Sequence, residues 1–466
     1  MNVNSSDRTA RLGEHAVVLG ASMAGLLAAR VLGDFYTRVT VVERDALGDS
    51  VIARRGVPQG RQIHALLMRG AQAMEDLLPG FLEELTADGA AEFDGADLSK
   101  LYFCMNGHVA VRTGASTQIR SYNMTRPFLE GHVRRRVRAL ANVTFLDDHD
   151  VADISLTPDG RVTGARVVGR TRHVESELTA DLVVDATGRG ARTPATLKRF
   201  GYDPPAEDEV GVDLVYVSQL VRWPGDALHE MGVIVAPVPG RPTGFAFMKC
   251  EHDTAFVTVF GMAGNDPPVD LPGMCAFAEG FSPPHVLAAA RSAEPLGRAA
   301  RHRFPSSRWR RYDKARRFPD GLIVVGDAVC SFNPIYGQGM TVAALEALLL
   351  RDCLSAGTDD LPRRFFRAAA KPIGQAWQLA VGGDLSLPEI EGTPPLATRL
   401  LNGYVDRVLT AAEYDISVLE QFIKVAWLVD SPVKLMRPQI VRRAVLTRRR
   451  QRYRERVTEV SPTGYE

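Results

Sequence analysis

Apolar and polar positions along this chain follow two different periods. His15-Ala-Val-Val-Leu19 is a short apolar run that stops at Gly20, and Ala24, Leu26, Leu27, Val31 and Leu32 then recur at helical spacing. Arg38-Val-Thr-Val-Val is a second apolar run, closed by Glu43. This order predicts a strand, a tight glycine turn, a helix and a second strand. An apolar helix is expected over Ala65 to Leu78. A helix opens at Arg126, with Pro127 in its first turn and Val133, Val137 and Leu140 on one face.

Further along, short β-like runs dominate. Leu101 to Cys104 and His108 to Arg112 suggest strands. Val143 to Leu146 and Val162 to Val168 read as strands joined through the Pro158-Asp-Gly turn. Asp181-Leu-Val-Val-Asp185 and Gly321-Leu-Ile-Val-Val-Gly326 are apolar strands that each lead into a glycine turn. Between about 205 and 300, runs such as Leu214 to Val217, Val233 to Ala236 and Ala255 to Phe260 describe most of a sheet, and beyond about 341 the pattern is helical.

Composition narrows the classes. A chain of 466 residues with 45% hydrophobic and 24% charged content is an ordinary globular protein of two or three packed units. Its 56 basic and 55 acidic residues give no general attraction to nucleic acid. The polar start lacks a signal-peptide core, and no apolar run reaches the roughly 18 residues of a membrane span. Five cysteines without a C-x-x-C pair argue against a disulfide framework or structural zinc and suit a reducing cytoplasm. The expected location is therefore cytoplasmic. The basic segment Arg442 to Arg456 has a thin apolar face and reads as a solvated helix rather than a membrane-surface one.

Two distant glycine turns carry the chemistry. Gly20, Ser22 and Gly25 bring backbone N–H groups and a helix N-terminus close to where a pyrophosphate can bind. Glu43, about 20 residues on, can accept ribose hydroxyls. Ser22 stands where a second glycine is usual, and its small side chain still permits close approach. The second turn, Gly326-Asp327-Ala328, is followed by Pro334, Gly337, Gly339 and Met340. In this order the two turns read as the ends of one FAD site. The loop Arg54 to His64 contributes His64 and Arg61 as polar candidates near the flavin, His64 as a hydrogen-bond or proton donor. Arg54 and Arg55 are either phosphate contacts or a solvated pair. Neither a metal cluster nor a Ser-His-Asp set is evident.

These motifs, together with Arg55-Gly-Val-Pro-Gln-Gly-Arg-Gln-Ile-His64 and Asp181 to Arg192, resemble the FAD-dependent monooxygenases of the aromatic-hydroxylase fold. Within that family the chain looks similar to actinobacterial polyene epoxidases and, distantly, to squalene epoxidase. The resemblance implies an α/β fold: a Rossmann-like FAD-binding domain in three parts (12–95, 123–200 and 306–355), an interleaved β-sheet substrate domain (96–122 and 201–305) and a helical C-terminal region (356–466). It places Asp327 on the ribityl and pyrophosphate region, Pro334 to Met340 against the isoalloxazine ring, and Arg55 and Arg126 among the cofactor-binding residues.

The activity implied is insertion of one oxygen atom from O2, by epoxidation or hydroxylation through a flavin C4a-hydroperoxide, into an apolar specialised metabolite. The pocket for it is expected from residues 100–125 and 210–260. Asp185-Ala-Thr-Gly188 departs from the Asp-Gly motif of many family members, so NADPH or NADH would act directly or through a separate flavin reductase. The W-x-W-x-I-P signature of tryptophan halogenases is absent. Two rival readings share the motifs: a flavin-dependent reductase or dehydrogenase of an isoprenoid, and a flavin-binding scaffold without turnover.

Overall fold

The computed structural model describes residues 11–48, 52–223 and 227–446. Five parallel strands build the first sheet, in the order Leu322–Val324, Leu182–Asp185, Gly13–Leu19, Tyr36–Val42 and Val143–Leu146. Val17 sits between Val183 and Thr40 in register. Because both faces of a parallel sheet are covered, its strands are continuously apolar, and Ala16, Val17 and Val18 are fully buried. One face carries the helices Met23–Phe35 and Gly339–Ser355, which pack on each other. The other carries a three-stranded antiparallel sheet, His149–Leu156, Val162–Gly169 and Glu175–Thr179, through Ile154, Val162, Ala165 and Val167.

A second, nine-stranded sheet is centred on the long strand Glu207–Arg222, flanked by Ala300–Arg310 and Thr254–Gly261. Its period of two separates two environments. Phe245 and Phe247 pack toward the helices Leu271–Phe277 and Pro284–Ser292, whereas Ala246 and Met248 line a large cavity. Helices Leu361–Asp384, Leu396–Ala412 and Ile416–Ala426 close the far side of that cavity. Among the described residues no helix is long and apolar enough to cross a membrane. The mixed α/β architecture with a parallel sheet, a β-rich second unit and a helical C-terminal part is the expected one.

Several expected details change. Ala65–Leu67 is a strand paired with Ser121–Asn123, so the helix there starts only at Met68. Val162–Gly169 turns back from His149–Leu156 rather than from Val143–Leu146, which instead forms the edge of the parallel sheet. The strand Ala300–Arg310 runs through the 305/306 boundary, and Cys330–Ser331 pairs with it as a further strand of the same sheet. Residues 447–456 of the basic segment lie outside the described residues.

Candidate active site

The first glycine turn lies at the carboxyl end of the parallel strands. Gly20 has φ +104°, and a Cβ there would lie 2.6 Å from the Ala186 carbonyl oxygen, so only glycine makes the turn. A Cβ on Gly25 would collide with the Gly20 carbonyl oxygen, which lets the helix start directly under the turn. Ser22 is the N-cap of Met23–Phe35, yet among the described residues it makes no side-chain cap bond. Its hydroxyl instead meets Arg126 Nη2 at 2.9 Å and Glu130 Oε2 at 3.3 Å. The first-turn N–H groups therefore lack a side-chain cap at a point where Gly20 to Ala24 line the cavity.

Glu43 is buried at the end of the second strand. Its Oε2 accepts the N–H of Ala21 at 2.8 Å and its Oε1 that of Asp45 at 3.0 Å, and Oε1 retains a lone pair for a hydroxyl donor. Behind it, Arg54 ties Glu130 (2.9 Å from Nε) to Glu43 (3.3 Å from Nη1) and donates to the Ala21 carbonyl at 3.0 Å. Arg54 is the inward arginine of the pair. Arg55 is exposed and borders only a small outer recess, which is a correction to its candidacy as a cofactor contact.

Arg126 is buried at the start of the helix Arg126–Arg138, whose N-cap Thr125 accepts the Phe128 N–H. It reaches the cavity, and together with Arg189 it acts electrostatically on Asp327. Burial pushes the Asp327 carboxyl above its ordinary value, against the pull of these two arginines. Arg189 is held by Ser306 and stacks over Phe304. Asp185, which ends the neighbouring strand, spends its carboxylate on Thr187 and Thr193 within its own turn.

Gly326 donates its N–H to Glu346 Oε2 at 2.7 Å, from within the helix Gly339–Ser355. Beyond it, the loop with Pro334, Gly337 and Gly339 lines the same cavity, as does Met340. Gly337 is left-handed at φ +67°. A Cβ on Gly339 would meet no described atom within 4 Å. The helix starting at Gly339 has, among the described residues, no side-chain cap and no acidic residue in its first turn. Asn333 caps the short turn Pro334–Tyr336 and bonds Asp384 at 2.8 Å, an anchor that carries no sequence signal because Asp384 ends a 24-residue helix.

His64 lines the cavity, but Arg61 is exposed on the outer side of its turn and does not, so the structure does not bring the two together at the site. The buried position belongs to Gln62, which donates to the Ala300 carbonyl at 2.9 Å. His64 Nδ1 lies 2.9 Å from the Gln62 carbonyl oxygen, which can only accept, so Nδ1 carries the hydrogen and Nε2 is an acceptor. Burial and the nearby Arg126 push its pKa down to about 4. With its pKa lowered, His64 is uncharged at neutral pH and donates a hydrogen bond through Nδ1, which favours the hydrogen-bond side of the expectation over the proton-donor side.

The cavity that collects these groups measures about 1120 Å³. The residues fit FAD on four counts: a glycine turn at an uncapped helix N-terminus, a carboxylate one strand over, Arg126 and Arg189 on the cavity wall, and a second uncapped helix N-terminus across the cavity. Among the described residues no cluster of His, Cys, Asp and Glu is arranged for a metal.

The fold, together with its relatives, marks an FAD-dependent monooxygenase. The chain belongs to the same family as Protein Rv3254 of Mycobacterium tuberculosis, with 39% identity over 456 residues, 94% of this chain and 95% of that protein. It is also similar to kynurenine 3-monooxygenase of Salinispora tropica, at 26% identity over 77% of each chain. In fold it matches p-nitrophenol 4-monooxygenase PnpA of Pseudomonas putida with a TM-score of 0.63 at 17% identity, over 89% of this chain and 97% of that one. No family model matches the sequence.

Proposed function

We propose that this enzyme inserts one atom of O2 into an apolar specialised metabolite, by epoxidation or hydroxylation, with electrons from NADPH or NADH taken directly or through a flavin reductase. The observation that carries the reading is one continuous cavity. The uncapped Met23–Phe35 helix opens onto one part of it, and the Pro334–Gly339 loop faces an apolar wall in another.

Bound FAD supplies the activation of dioxygen, chemistry that no side chain here provides. In this reading the N–H groups after Gly20 and the Arg126 guanidinium hold the pyrophosphate. Glu43 accepts from the ribose and Asp327 from the ribityl hydroxyls. The N-terminus at Gly339 would lend partial positive charge to a flavin ring held beside it. His64, uncharged, orients a donor through Nε2 and does not shuttle a proton at neutral pH. The sheet residues Phe260 and Met248 and the C-terminal helices keep water from the reacting carbon.

Turnover under isotopically labelled dioxygen tests this. One labelled oxygen atom per product molecule is expected. Nicotinamide consumption with an altered but unlabelled product would point instead to the dehydrogenase or reductase reading.

A further inference from the structure

The charges that line the cavity are unevenly distributed. Every Asp, Glu and Arg on its wall falls at positions 43–44, 126, 150–153, 185–199 or 327, all in or beside the parallel sheet and its antiparallel cover. The opposite half is built by Tyr102, Met105 and Met248 from the large sheet and by Val405, Phe422 and Trp427 from the C-terminal helices or the turn after them. Among the described residues no Asp, Glu, Lys or Arg side chain lines that half. Its polar groups are hydroxyls such as that of Tyr102 and amides such as Asn402, whose Nδ2 is already committed to the Gly382 carbonyl at 2.9 Å. His302, which also lines the cavity, has its pKa lowered by burial.

The lining of the cavity extends past the groups assigned to FAD into an uncharged half. At about 1120 Å³ the cavity exceeds the roughly 300–1,000 Å³ of ordinary single-ligand sites. The uncharged half extends to Leu401 of the helix Leu396–Ala412, which lines the cavity and is 43% exposed. A charged group drawn into this half would lose its hydration and find no counter-ion.

Resting on the monooxygenase reading above, we infer that the substrate is an elongated molecule without ionised groups, seated along Val405, Phe422 and Trp427, and that the C-terminal helices rather than the large sheet alone set its specificity. Uncharged alkene or aromatic chains fit this half; amino acids, carboxylates and amines are excluded by it.

Calorimetric titration of the FAD-loaded protein with three ten-carbon probes of matched length, decanol, decanoate and decylamine, tests the inference near neutral pH. Decanol is expected to bind saturably at one per chain, with the two charged probes weaker by about ten-fold or more. Val405→Arg places a cation on the wall and is expected to reverse the order of decanol and decanoate. Leu401→Arg, at the exposed rim, does the same in part and guards against a folding defect in the first variant. Equal or tighter binding of a charged probe, no saturable binding of decanol, or an order unchanged in both variants would overturn the inference. These titrations involve neither reductant nor oxygen, so their failure leaves the labelled-dioxygen result to stand or fall separately.

Discussion

Asp384 Oδ1 accepts the Asn333 side-chain amide at 2.8 Å and the Tyr336 hydroxyl at 3.1 Å, so one carboxylate at the end of the helix Leu361–Asp384 holds both ends of a short turn at the cavity. Asn333 in turn accepts the Ile335 N–H, and a Cβ on the adjacent Gly383 would collide with the Tyr336 hydroxyl. The C-terminal region thus shapes the loop from behind. Gln338 repeats the arrangement on the other side, donating to the Ala426 carbonyl at 2.9 Å.

Removing Asp384 strands the buried Asn333 amide and the half-buried Tyr336 hydroxyl. Asp384→Ala is expected to weaken FAD binding by about ten-fold or more, at a cost of about 1–3 kcal/mol for each unpaired group. Asp384→Asn keeps an oxygen acceptor and should recover most of the loss. Flavin fluorescence quenching on titration measures both; equal damage in the two variants would mean that the acceptor geometry is not what matters.

Glu346 gives a pH signature. Burial pushes its carboxyl up to about 8 from an ordinary 4.5, while the Gly326 N–H pulls the other way. Between those values the unfolded chain has lost a proton that the folded chain keeps. The Glu346 contribution to stability is therefore full below about pH 4.5 and falls as pH rises toward 8, by up to about 1.4 kcal/mol per unit. Glu346→Gln retains an acceptor for Gly326 and does not titrate. Its urea midpoint should gain on the wild type steadily across this window, and parallel curves for the two proteins would refute the assignment.

His64 should titrate near 4, because burial and Arg126 both oppose its charge. Imidazole resonances assigned with a His64→Asn variant give the midpoint directly. A value near the ordinary 6.5 would restore His64 as a proton donor at neutral pH.

Two glycines separate folding from cofactor binding. Gly20→Ala combines φ +104° with a 2.6 Å approach to the Ala186 carbonyl oxygen, and should lower the melting temperature of the FAD-free protein. Gly339→Ala meets no described atom within 4 Å and lies in a helix, so that melting temperature should hold or rise slightly. FAD affinity should nevertheless fall, since the new methyl enters the space proposed for the flavin edge. Unchanged affinity in Gly339→Ala would move the ring elsewhere.

The parallel sheet was legible because buried parallel strands are continuously apolar and their glycine turns have fixed spacing: Val17 to Glu43 and Leu322 to Asp327 need no tertiary knowledge. The antiparallel strand His149–Leu156 was not, since its alternating Asp150 and Asp153 hide a half-buried face. At the site, local motifs pointed to the turns but not to their anchors. Arg54 and Arg55 are adjacent and chemically alike, and only packing against Glu130 decides which one turns inward. Asp384 and Phe422 lie far along the chain in helices whose periodicity reports burial, not the neighbour against which they are buried.

The central claim is that the Gly20 turn and the Pro334–Gly339 loop bind one FAD between them. The direct measurement is the visible spectrum and flavin content of the purified protein after incubation with FAD and removal of the excess. One flavin per chain, with absorption bands shifted from those of free FAD and lost in Gly20→Ala, is the predicted result. A colourless protein that retains no flavin under these conditions would contradict the account.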